Sequence, residues 1–341
     1  MISGSVVFYK IATTCLLILV GYIGRRMKLI PEISVQVISK FLLSIALPSY
    51  FIYHMPYSIA VETLAANWFF PVLGALLLAE SDLFGYLCGR LWARSGELGT
   101  FRIMVGLPNW VFMAMAVCEP IFKEDGIRVV LLYNLGIVLY IWSFGMTSFR
   151  SGVGWKAVVR QLFLNVQIVS CCIGLAVAFI APFVKGMEGM DSEQLRALPW
   201  YLGVVTPVWE SIYLLGGTAL PLSIVQIGLL LGTPRSEHPG VDAGGNRSLV
   251  LTTLLRLLAA PLLSLATLFA ACRLGLGLSR NEFVISVIVM SMPAAVLSLS
   301  ITEVYGGSSR LAARGIIWGT VASLLTAPLL TLAAQRAYGW L

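Results

Sequence analysis

The sequence is short of charge. Only 11% of its 341 residues are Asp, Glu, Lys or Arg, against about 25% in an ordinary soluble domain. That shortfall, with 58% hydrophobic residues, excludes a water-soluble globular fold. Histidine is nearly missing: His54 and His238 are the two present, and they lie far apart. The six cysteines (Cys15, Cys88, Cys118, Cys171, Cys172 and Cys272) fall within or beside apolar stretches, and none forms a C-x-x-C pair. Zinc, haem and disulfide frameworks therefore have no support, and no cofactor is expected. No Walker A loop, dinucleotide fingerprint or nucleophile–base spacing occurs, so neither an ATP-driven pump nor an enzyme is expected. The pI near 9.2 is not read as nucleic-acid binding, because no basic run with interleaved aromatics is present.

What fills the chain instead is apolar sequence, with a mean hydropathy of +0.89. A hydrocarbon core about 30 Å thick needs roughly 20 apolar residues per helix. Ten such stretches are predicted: 5–24, 33–53, 67–91, 102–122, 127–149, 162–184, 204–231, 248–272, 282–302 and 313–333. Backbone inside a bilayer must satisfy its own hydrogen bonds, so these are read as helices. The runs do not alternate as barrel strands would. The first stretch, Ile11–Gly24, is followed rather than preceded by Arg25, Arg26 and Lys28, which marks a retained helix and not a cleavable signal. The expected fold is an all-α integral membrane protein that fills residues 1–341 and leaves no room for a soluble domain.

Lys and Arg are more frequent after spans 1, 3, 5, 7 and 9. They are Arg25, Arg26 and Lys28; Arg90, Arg94 and Arg102; Arg150, Lys156 and Arg160; Arg235 and Arg247; and Arg310 and Arg314. Fewer lie on the other side: Lys10, Lys123, Arg128, Lys185, Arg196, Arg273, Arg280 and Arg336. The positive-inside rule places the first set in the cytoplasm and both termini outside it, in a plasma or inner membrane.

Two segments of the sequence echo each other. Ala46-Leu47-Pro48 in span 2 matches Ala219-Leu220-Pro221 in span 7, and Pro108 in span 4 matches Pro293 in span 9. The polar insert at 232–247 absorbs the difference in spacing. Five helices per half would make residues 1–150 and 151–341 inverted repeats, a plan common among secondary transporters. The plain alternative is that proline is frequent in membrane helices.

A proline inside a helix removes a hydrogen bond and clashes with the preceding turn. Pro108 and Pro293 are thus expected to break spans 4 and 9 and to free backbone groups at mid-membrane, where they suit an anionic ligand. A simple kink without a ligand is the rival reading. Asn109 follows Pro108 and offers an amide donor and a carbonyl acceptor. Ala294 follows Pro293. Ionisable groups within spans are costly. Glu80 and Asp82 lie mid-span, pointing away from each other, and are read either as coupling groups or as structural partners of Lys40 or Arg256. Glu119 and Glu210 lie nearer span ends. Arg256 is expected to snorkel toward the cytoplasmic side.

These residues resemble the auxin efflux carrier family, which includes bacterial malate permease-type proteins and plant PIN-formed carriers. The resemblance spans the chain. It rests on Gly21-Tyr22-Ile23-Gly24-Arg25-Arg26, Ser39-Lys40-Phe41, Ala46-Leu47-Pro48, Pro108-Asn109-x-x-Phe112, Ala219-Leu220-Pro221-Leu222, Met292-Pro293-Ala294 and Glu303-x-Tyr305-Gly306-Gly307. It implies a scaffold of spans 1, 2, 6 and 7, dimerising through spans 2 and 7. It implies a mobile domain of spans 3–5 and 8–10, with broken helices 4 and 9 crossing at Pro108 and Pro293 and elevator-type motion. It also implies that Asn109 helps to hold a small organic anion. Members often carry Gly and Pro where this chain has Ala114 and Ala116, and Gly where it has Lys123. A bile-acid-symporter-type carrier would need a sodium cage at the crossover, for which Glu119 and Asn109 are the polar candidates. A channel or a membrane sensor is the rival from another class. Glu80, Asp82 and Glu119 are the candidate proton or ion-coupling residues.

Overall fold

The computed structural model describes residues 4–31, 33–59, 66–145, 164–181, 199–232, 246–305 and 307–341, with Arg160 and Val184. Arg150, Lys156, Lys185, Arg196, Arg235, His238 and Gly306 lie outside them, as do the side chains of Lys10, Cys15, Glu303 and Tyr305. Among the described residues the protein is helical, and the one β-type pairing is an isolated bridge. The helices are α1 (Gly4–Arg26), α2 (Ile33–Phe41), α3 (Leu47–Ser58), α4 (Phe69–Trp92), α5 (Leu98–Gly106), α6 (Phe112–Phe122), α7 (Glu124–Tyr140) and α8 (Val166–Ile180). Then follow α9 (Trp200–Gly217), α10 (Ala219–Gly232), α11 (Asn246–Leu254), α12 (Ala260–Arg273), α13 (Arg280–Ser291), α14 (Leu297–Tyr305) and α15 (Ser309–Tyr338). Among the described residues, six continuous helical segments are long and apolar enough to cross a membrane: 37–58, 69–92, 124–143, 205–232, 246–273 and 309–338. This is a multi-pass membrane protein.

Each predicted span has helix within it, with shifted ends. Span 2 runs on to Ser58, and span 10 covers Ser309–Tyr338. Arg102, assigned above to a loop, lies inside α5 instead. The preceding loop is short, and α5 begins at Leu98, one residue after Glu97.

Prolines shape the long helices. Span 2 joins α2 to α3 through a π-helical turn at Leu42–Ala46, and span 8 joins α11 to α12 through another at Leu255–Ala259. Pro48 and Pro261 stand two residues beyond these turns. A proline has no N–H for the i→i−4 ladder and crowds the carbonyl four residues back, so the ladder widens locally. Elsewhere helix starts are capped. Asn165 caps α8, Ser308 caps α15, and Ser279 forms a reciprocal capping box with Glu282 at α13.

The packing falls into two groups. α1 lies along α10, and α3 is flanked by α8 and α9. Gly21 and Gly228 allow the first contact, since a Cβ on either would overlap the other helix's backbone. In the second group α4 packs on α5 and α7, and α13 packs on α15, α12 and α7. α6 and α7 touch the first group through α10 and α3.

Candidate functional site

Two short extended segments meet at the centre of the second group. α5 stops at Gly106 and α6 starts at Phe112; α13 stops at Ser291 and α14 starts at Leu297. Pro108 and Ala294 form an antiparallel bridge. The Asn109 N–H donates to the Pro293 carbonyl at 2.7 Å, and the Ala295 N–H donates to the Leu107 carbonyl at 3.0 Å. The breaks expected at Pro108 and Pro293 are therefore present, and they lie against each other. Pro108, Pro293, Ala294 and Asn109 are all buried there, Asn109 to 3% exposure.

The groups at this crossover are unequal in their satisfaction. Asn109 is buried to 3% exposure with its side chain at the crossover, and the buried Ser298 hydroxyl, just inside α14, has no partner among the described residues. The N-cap position of α6, Val111, supplies no side-chain cap. The first N–H groups of a helix have no i→i−4 partner within it; here the Ala114 N–H turns to Asn109 O at 3.4 Å, and no side chain caps the N–H groups before it. Next to Asn109, the Trp110 indole donates to Asn134 Oδ1 at 2.9 Å, and the Asn134 amide reaches Cys171 Sγ at 3.7 Å. This chain of contacts crosses from the second group of helices to α8. The sequence reading missed Asn134; a buried amide in the middle of span 5 was the signal available.

A cavity of about 530 Å³ opens beside the crossover, between the two groups of helices. Trp110 and Leu297, one from each broken helix, form part of its wall. Its polar lining is Ser44, Arg160, Asn165 and Gln167, and the rest is apolar, with Trp142 the second indole. The exposed Arg160 guanidinium has no acidic partner among the described residues.

The three candidate coupling residues are not brought together. Asp82 is bound by the Arg102 guanidinium through both oxygens, with Arg102 Nε to Oδ1 at 2.6 Å, and it also accepts from the Tyr140 hydroxyl at 2.8 Å. Neither Lys40, which is exposed, nor Arg256 is its partner; both pairings suggested from the sequence are corrected. Gly106 lies against this group, where a Cβ would come within 2.8 Å of Asp82 Cα. Glu80 points the other way. One of its oxygens accepts from the Thr267 hydroxyl, and the other is buried without a partner. Glu119, on α6, accepts from the Tyr50 hydroxyl of α3 at 3.1 Å. The His54 ring lies 4.1 Å from the Tyr50 ring. Glu210 is exposed on α9.

Arg256 overturns a further expectation. It does not snorkel: it is 2% exposed. Its Nη1 donates to Val105 O at 2.8 Å, Ser81 Oγ at 3.1 Å and Gly106 O at 3.5 Å, and its Nη2 donates to Met290 O. Val105 and Gly106 end α5, and Met290 lies in the last turn of α13. The sequence signal was a lone arginine eight residues into a long apolar run, and such residues are functional candidates by default.

Two broken helices that cross beside a cavity are a plan found in membrane transporters. The chain belongs to the auxin efflux carrier-type family of membrane transport proteins, whose model, described as "Membrane transport protein", matches residues 6–331. It is similar to an "uncharacterized transporter" of Methanothermobacter thermautotrophicus, 23% identical over 326 residues, 94% of this chain and 95% of the other. It is also similar to an "uncharacterized transporter" of Methanocaldococcus jannaschii, 22% identical over 332 residues, 96% of each. The family and these relatives are transporters, and nothing in them points to a catalytic activity.

Proposed function

We propose that the protein is a secondary active carrier for a small organic anion, of the carboxylate type, working by an elevator motion. The observation that carries the reading is the crossover of the two broken helices, with Asn109 buried in it and bonded through its main chain to Pro293 O. Asn109, the first N–H groups of α6 and the backbone around Pro108, Pro293 and Ala294 would hold the anion. The adjoining cavity supports an amphipathic substrate: its walls are apolar and bear two indoles, while Arg160 offers one fixed positive charge.

On this reading residues 1–150 and 151–341 are two inverted repeats of five helices. α1–α3 and α8–α10 form the static scaffold, which would pair with a second copy through spans 2 and 7. The remaining helices carry the site. The charge pattern supports an inner or plasma membrane with both termini outside the cytoplasm. Glu80 is the favoured proton-coupling group of the three candidates, because one of its oxygens is free. Asp82 is held by Arg102 and Tyr140, and Glu119 by Tyr50.

The test is thermal stabilisation of the purified protein by a panel of organic acids, with and without sodium. A ligand that binds the folded state raises its apparent stability by mass action. A carboxylate hit that is lost in Asn109→Ala supports the anion site. A hit that survives in Asn109→Ala discards it. A response only in sodium supports a sodium-coupled symporter, and linear, unsaturable flux in liposomes supports a channel.

A further inference from the structure

The crossover has an electrostatic requirement that the anion site does not meet. Two half-helices, α5 and α13, end there, and each helix C-terminus carries about half an elementary negative charge. Their last carbonyls also lack partners within their own helices. In carriers built on broken helices, such carbonyls commonly coordinate the coupling sodium ion. Here they are already taken. The Arg256 guanidinium donates to Val105 O, Gly106 O and Met290 O, joining the ends of both half-helices.

No carboxylate pairs with Arg256 among the described residues. The nearby acid, Asp82, is committed to Arg102 and Tyr140, and Glu80 meets Thr267. A guanidinium is charged at any working pH. Burying it without a carboxylate is costly, so the two helix ends and their carbonyls are its compensation. Two half-charges of about −0.5 sum to the opposite of one guanidinium. The π-helical turn at Leu255–Ala259 carries Arg256 to this position.

We infer that Arg256 is the carrier's resident cation: its guanidinium occupies the place a metal ion would take between the ends of α5 and α13, and makes the site independent of sodium. Removing the charge while keeping the fold then opens a site for a monovalent metal cation at the same carbonyls. This rests on the crossover being the transport site, but its test uses no organic anion. A failed anion panel leaves the cation result standing, and a failed cation test leaves the Asn109 reading standing.

The experiment measures the thermal midpoint of the full chain in detergent at constant ionic strength, titrating sodium chloride against choline chloride. Wild type is expected to be indifferent to the exchange. Arg256→Gln is expected to be destabilised in choline and to recover saturably in sodium, by about 2 °C at tenfold above the sodium Kd. Arg256→Lys keeps the charge and is expected to remain indifferent. A saturable sodium response in wild type overturns the inference. So does Arg256→Gln that is equally unstable, or fails to fold, in both salts, or an Arg256→Lys protein that behaves like Arg256→Gln.

Discussion

The two breaks at the crossover share a backbone and differ in chemistry. Each has a proline, an extended stretch of about two residues and one N–H donated to the other segment. The first break then offers an amide, an indole bonded to Asn134 and, further along α6, Glu119. The second offers Ala294, Ala295 and Val296, flanked by Ser291 and by Ser298, whose buried hydroxyl has no partner among the described residues. The main-chain bridge uses both segments alike, while their side chains differ. Two segments that close the same crossover can still differ in their side chains, because the bridge needs only main-chain atoms.

Four substitutions would break or sharpen that contrast. The largest effect is expected for Ala295→Pro, which deletes the N–H bonded to Leu107 O. Loss of this bond and the ring's clashes should cost about 3 kcal/mol or more, read as a large fall in the thermal midpoint; an unchanged midpoint would mean that the bridge does not hold the crossover together. Next is Asn109→Ala. A hydrogen bond to a charged group contributes about 1.5–3 kcal/mol, so affinity for the anion found by the panel should fall roughly 10- to 100-fold, measured by titration. The matching change on the apolar side, Ala294→Ser, should leave that affinity within about threefold, a difference of under about 1 kcal/mol. Equal losses from both would contradict the one-sided assignment.

Tyr50→Phe removes the hydroxyl that meets Glu119 between α3 and α6. About 1 kcal/mol of stability should go with it, measured in denaturant or by heat. The tie joins the proposed static and moving parts, so the variant should also alter transport rate more than affinity. The smallest effect concerns Lys123, at the end of α6, which has φ +53°. A non-glycine residue there is strained, and Lys123→Gly should stabilise by about 1 kcal/mol. The family resemblance already marked that position as one where glycine is common, and the backbone supplies the reason.

The sequence made the helices and their breaks legible because both are local. Apolar run length sets a span, and Pro108 and Pro293 interrupt the ladder wherever the rest of the chain goes. It also made Asn109 legible, through its place beside Pro108. Partners were not legible, because they come from helices far apart in the chain. For Asp82 the sequence leaves open a coupling role or a pairing with Lys40 or Arg256, and its partner is Arg102, 20 residues on but across a tight helical hairpin. Arg256 was assigned to the membrane surface by its side-chain length. Its bonds to Val105 and Met290 depend on a π-helical turn and on the meeting of two half-helices, neither of which leaves a mark in composition.

A fixed positive charge at membrane depth also answers to voltage. Moving one elementary charge across the full field is worth about 2.3 kcal/mol per 100 mV. If the crossover travels, Arg256 travels with it. The helix ends that face Arg256 belong to dipoles with no net charge, so they stabilise the guanidinium without removing its charge from the moving part, whereas a bound monovalent anion does remove it. An inside-negative potential pulls the empty site toward the cytoplasm and leaves the loaded site free to move outward, so the resting membrane would favour export. Current from protein-containing liposomes without substrate should include this charge movement, and Arg256→Gln should lack that component in metal-free salt.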